Sequence, residues 1–162
     1  MTAPRARTGM SVPVATTLTP SPLRNRIRVE LAAPVSGVWA LVGDLKRFPE
    51  YSLGLDRVEA EVDSGGACTE YVCHFKQQEE GGVSISHREI MRWYEPRRGF
   101  ASVAEEGNAF GLTNSLTLVT LESSSDATSL RWDQYYDAHD LDMNRAVFDD
   151  ALADIGKNLV HR

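Results

Sequence analysis

His87 and Glu89 stand two residues apart in the stretch VSISHREIMRWY, residues 83–94. An imidazole beside a carboxylate can act as a general base at an activated methylene, or as an acid in the loss of water. Side chains along a strand alternate faces. The odd positions of this stretch are Val83, Ile85, His87, Glu89, Met91 and Trp93, so the apolar residues carry the ionisable pair inward with them. Two ionisable groups on an inward face are costly unless they are paired, hydrated or used. Two readings follow: a catalytic pair at a cavity, with Glu89 orienting His87, or an ion pair that only satisfies itself.

The matching faces of the neighbouring segments should meet the same space. Residues 67–75 place Tyr71 with Cys73 and Phe75, and residues 109–121 place Phe110, Leu112, Asn114, Leu116 and Leu118 together. Residues 128–137 place Leu130, Trp132, Gln134 and Tyr136 on one face. Tyr71 is the candidate donor to a developing enolate, unless it is simply packed. Phe110, Asn114, Trp132, Gln134 and Tyr136 are candidate ligand contacts in a mixed apolar and hydrogen-bonding lining.

Positioning these groups takes a sheet and something to cover it. Residues 25–31 alternate as a half-buried strand, Ala32-Ala33-Pro34 ends it, and Val35, Val38, Trp39 and Val42 recur at helical spacing. Asp44 suits the cap of a second short helix over residues 45–51. Six further strands are expected at 55–62, 67–75, 83–94, 100–104, 109–121 and 128–137, joined by polar or Gly-containing turns. Residues 142–160 form an amphipathic helix with Val147, Phe148, Ala151, Leu152, Ile155 and Leu159 on one stripe. Phe148 and Leu152 are its candidate ligand contacts. The order predicts an α+β domain in which a curved seven-stranded antiparallel sheet closes on the long C-terminal helix and leaves a cavity.

Composition narrows the partners. Of 162 residues, 42% are hydrophobic and 25% charged, which suits one domain with one core. Five arginines precede Glu30 and no acid does, which leaves 12 of the 17 basic residues against all 23 acids in the body. An acidic body lacks the basic face that nucleic acid or anionic lipid requires. No apolar run reaches the roughly 20 residues of a membrane span. Cys68 and Cys73 lie five apart on one expected strand and should point to opposite faces, so no disulfide is expected and a reducing cytoplasm is. The sequence Asp137-Ala138-His139-Asp140 has no spaced partner and reads as helix capping, with no metal expected. Residues 1–23, rich in Pro, Ser and Thr, read as a disordered tail that the domain at 24–162 does without.

Certain segments carry a likeness: Val29-Glu30-Leu31-Ala32-Ala33-Pro34-Val35, Val38-Trp39-Ala40-Leu41-Val42, Asp44-Leu45-Lys46-Arg47-Phe48-Pro49-Glu50-Tyr51 and Thr128-Ser129-Leu130-Arg131-Trp132. They resemble the START-like (SRPBCC) superfamily with its helix-grip fold, within it the polyketide cyclase/dehydrase and coenzyme-Q-binding-like families. The likeness spans residues 25–162. It implies a cofactor-free cyclase, aromatase or dehydratase acting on an oxygenated aromatic or polyketide-like molecule. The alternative within the same superfamily is a non-catalytic carrier or sequestering protein for a lipid, quinone or pigment. It supplies no catalytic residue, so His87, Glu89 and Tyr71 rest on the strand pattern alone. A hydrophobic small molecule is the expected partner, and the chain is expected as a monomer or homodimer.

Overall fold

The computed structural model describes residues 19–162. Strand β1 (Leu23–Leu31) leads through Pro34 into helix α1 (Val35–Val42). Pro34 sits just before the helix, where its fixed φ is tolerated and its carbonyl accepts from the amides of Gly37 and Val38. The helix ends at Gly43, where the Trp39 ring leaves no room for a side chain: a Cβ there would approach the ring to 2.4 Å. Asp44 then caps a 3-10 helix, Leu45–Glu50, by accepting from the Lys46 amide. Strands β2 (Leu55–Val62), β3 (Cys68–Phe75), β4 (Ser86–Glu95), β5 (Gly99–Ala104), β6 (Leu112–Ser124) and β7 (Ala127–Ala138) follow, then helix α2 (Leu141–Val160).

The strands form one seven-stranded antiparallel sheet in the order β1-β7-β6-β5-β4-β3-β2. A meander of consecutive strands accounts for every neighbour except β1, which pairs with the last strand. Helix α2 closes over one face, capped by Asp140, and buries Leu152, Ile155 and Leu159. Gly156 lets it lie close to β1, since a Cβ there would meet Val29 at 3.2 Å. The main core runs between helix and sheet and includes Val42, Tyr51, Phe100, Val119, Leu130 and Trp132.

Bulges redirect several side chains from their expected faces. Strand β4 starts only at Ser86, which leaves Val83 84% and Ile85 38% exposed. A register shift between Met91 and Trp93 then turns Trp93 onto the outer face, against Ala101, Leu116 and Leu118. A second shift between Thr113 and Leu116 places Asn114 at φ 49°. The inward residues of β6 are therefore Thr117, Val119 and Leu121, and the expected grouping of Phe110 with Leu116 and Leu118 is broken. A third shift, opposite Glu61 and Val62, brings Cys68 into the same core as Cys73 instead of the opposite face. Both cysteines are buried free thiols. Val147 lies on the exposed side of α2, and Ala151 is exposed where it lines the space between helix and sheet, so the buried stripe is narrower than expected.

Of the tail expected over residues 1–23, residues 1–18 lie outside the described residues. Leu23 already belongs to β1, and Thr19 and Ser21 are buried. The Thr19 hydroxyl donates to the Asn114 carbonyl, and the Ser21 hydroxyl donates to Asp137 at 2.9 Å. Thr19→Ala and Ser21→Ala should each cost about 0.5–1.5 kcal/mol, the net worth of one hydrogen bond. Chemical denaturation checks this, and unchanged midpoints in both variants would show that the segment only rests on the sheet.

Candidate active site

Strands β3, β4 and β5 lie side by side, and the site is built across them. Register pairs Cys73 with His87, Tyr71 with Glu89 and Met91 with Ser102. One inward row of side chains on each strand then meets in a buried chain of four polar groups. His87 Nε2 lies 2.5 Å from Glu89 Oε2, the Ser102 hydroxyl donates to Glu89 Oε1 at 2.7 Å, and the Tyr71 hydroxyl lies 3.0 Å from Ser102 Oγ. With Ser102 donating to the carboxylate, Tyr71 donates to Ser102. Ser102 and Glu89 are 0% and 5% exposed, Tyr71 and His87 3% and 9%. With Glu89 ionised both its oxygens accept, and the short contact is met by a proton on His87 Nε2. Nδ1 is buried and has no hydrogen-bond partner.

His87 faces a cavity of about 120 Å³ between the sheet and α2, open to solvent on one side. Tyr71, Glu89, Trp132, Gln134 and Tyr136 line it from the sheet, and Phe148 and Leu152 from the helix. Phe110, from the turn before β6, plugs one side, with its ring 5.3 Å from the His87 ring, 5.4 Å from Phe75 and 5.7 Å from Phe148. Trp132 packs between Phe48 and Phe100. Its indole N–H and the side-chain oxygen of Gln134 are buried and unpartnered, like His87 Nδ1. Buried polar atoms are normally satisfied, so three orphans on residues around one cavity stand out.

The candidate residues thus divide. Asn114 is exposed in its bulge, away from the cavity, and its contribution is the carbonyl that holds Thr19. The Tyr71 hydroxyl is committed to Ser102, which makes it a support for Glu89 and not a donor to a ligand. The Tyr136 hydroxyl donates to Asn25 at 2.5 Å, and Asn25 in turn donates to Asp149, so Tyr136 offers the cavity its ring. Asp137 is held by Ser21 and Arg24, and Asp140 caps α2, in line with structural work for that stretch. Ser102 was not picked out from the sequence. Its signal is a single hydroxyl between Phe100 and Ala104 on the inward row of a short apolar strand.

Burial sets the charge states of the surrounding weak acids. It pushes the Cys68 thiol up to about 11, raises Cys73 further, and holds the Tyr51 and Tyr71 phenols well above their usual value, with Glu89 adding to the effect at Tyr71. Tyr71 is accordingly a neutral donor. A raised acid favours folding fully below its unfolded pKa, and that advantage fades as pH climbs toward the folded value. Stability should hold level up to about pH 9, where unfolded thiols ionise, and then fall as unfolded tyrosines follow near pH 10. Urea midpoints across that range are the measurement, and a midpoint that stays flat to about pH 11 would contradict the burial of these groups.

No protein-family model matches the sequence, and no curated protein matches it. Solved structures do match in shape. A START superfamily protein from Mycobacterium smegmatis superposes with a TM-score of 0.71 at 15% identity, over 87% of this chain and 97% of that one. The Zhui aromatase/cyclase from Streptomyces sp. R1128 superposes with a TM-score of 0.68 at 13% identity, over 85% and 90%. The XoxI protein from Bacillus cereus gives 0.67 at 14% identity, over 85% and 92%. The chain has the START-like helix-grip fold. Among the described residues no helix is long and apolar enough to cross a membrane.

Proposed function

We propose that this protein binds a mostly apolar, oxygenated small molecule in the cavity and moves protons on it, promoting dehydration, ring closure or aromatisation. The observation that carries the reading is the state of His87. Its Nε2 is fixed by Glu89, and its Nδ1 is an unpartnered base on a residue lining the cavity. A carrier needs only an apolar pocket, whereas three linked polar groups behind one imidazole are costly to bury without a use. Glu89, Ser102 and Tyr71 position His87, and the aromatic walls hold the ligand in a reactive pose. The chemistry needs no cofactor, and the reading is in keeping with the aromatase/cyclase among the structural neighbours. The buried free thiols fit a reducing cytoplasm.

The test compares small molecules extracted from wild-type and His87→Ala protein expressed in the native host and identified by mass. The variant should retain a precursor that the wild type holds only as its dehydrated or isomerised product. The same unaltered molecule in both proteins would make this a carrier.

A further inference from the structure

We infer that the molecule acted on is neutral, about the size of one substituted six-membered ring, and bears a carbonyl with a hydrogen on the adjacent carbon. This rests on the acid/base reading of His87 and deepens it. The first constraint is space. The cavity holds about 120 Å³ and is closed on several sides by aromatic rings. A cavity of roughly 150 Å³ accommodates benzene, while sites for drug-sized ligands run to about 300 Å³ and above. Fused polycyclic ligands exceed the space between the cavity's walls, where the reacting groups lie.

The second constraint is charge. The lining contains the Glu89 carboxylate and neither lysine nor arginine. An anionic ligand would be desolvated beside a like charge with no cation to offset it. Carboxylic acids and phosphorylated compounds are thereby disfavoured.

The third constraint is the set of unpartnered atoms, which neighbouring side chains cover and a ligand must uncover. The Trp132 indole is a donor only and calls for an acceptor on the ligand. His87 Nδ1 is a bare acceptor and calls for a proton it can take. Gln134 adds an amide whose oxygen is free for a hydroxyl on the ligand. A carbonyl oxygen on Trp132 with an adjacent C–H toward His87 meets the first two demands together. In that pose His87 Nδ1 takes the proton. The C–H electron pair becomes the C=C bond of the enolate, and the carbonyl π pair moves onto oxygen, where the indole N–H stabilises it. Return of a proton from Nδ1 to carbon restores the ketone, so the cycle closes without a further reactant.

Cyclohexanone is a probe of this class, cyclohexanecarboxylate its anionic counterpart and 1-tetralone a fused two-ring ketone. Binding to the full chain is followed by protein NMR, and loss of the probe's α-proton signals in D2O by proton NMR. Cyclohexanone should bind and exchange at least about 100-fold faster than with His87→Ala. Trp132→Phe, with an unchanged circular dichroism spectrum, should weaken cyclohexanone binding by up to about tenfold, as loss of one hydrogen bond does, whereas Gln134→Met should leave it unchanged, because the ketone has no hydroxyl for the amide oxygen. Phe110→Ala should admit 1-tetralone, which the wild type excludes. Wild-type binding of cyclohexanecarboxylate or 1-tetralone as tight as that of cyclohexanone overturns the size and charge class, whatever becomes of exchange. Tight cyclohexanone binding without any exchange overturns the acid/base reading and leaves the class of ligand standing. Absence of cyclohexanone binding overturns the inference itself.

Discussion

His87→Ala and Glu89→Gln should each slow turnover of the extracted precursor by about 10²–10⁴-fold, the usual worth of a positioned acid or base. The two losses should not add. Glu89 acts through His87, so the double variant should fall little below the worse single one. Ser102→Ala should give a smaller loss in the same direction, since it removes one of two groups that hold the carboxylate. Folding should survive the Glu89 change, because glutamine preserves the volume and can still accept from Ser102. Single-turnover kinetics of the wild type and the four variants is the measurement. Additive losses, multiplying to the product of the two singles, would show that the residues act separately.

Phe100→Ala should cost about 3–5 kcal/mol, the range for deleting a fully buried aromatic ring. Phe100 is 0% exposed and sits between Tyr71 and Trp132, with ring centroids at 6.5 and 6.2 Å in edge-on contact. Its removal opens a void beneath both the polar chain and the indole, so stability and ligand binding should fall together. Equilibrium unfolding in urea gives the cost, and a loss under about 1 kcal/mol would mean that the core collapses into the gap.

Much of this arrangement was legible from residue pattern alone. The element order is written in alternation, turn residues and the capping aspartates Asp44 and Asp140. His87 and Glu89 face inward, but Val83 and Ile85 precede β4 and are exposed, and Trp93 turns outward beyond the bulge. The alternation that places the pair is the local run from His87 to Met91. Bulges were the recurrent blind spot. One inserted residue reverses the faces of everything beyond it, and nothing in the composition around Arg92 or Cys68 announces this. Asn114 did carry a clue, because asparagine is among the few residues other than glycine at ease with a positive φ. Ser102 and the commitment of the Tyr71 hydroxyl depend on which residues of β3, β4 and β5 come into register. Such cross-strand neighbours are fixed by pairing over long sequence separations and not by local preference.

The central claim is that Glu89 holds the His87 proton on Nε2 and leaves Nδ1 as the base. Nitrogen-15 NMR of histidine-labelled protein reads this directly, with each ring nitrogen assigned by its couplings to the ring protons. The neutral ring should show a protonated Nε2 and a bare Nδ1, and Glu89→Gln should weaken that preference. A neutral ring protonated on Nδ1 in the wild-type protein would contradict the account.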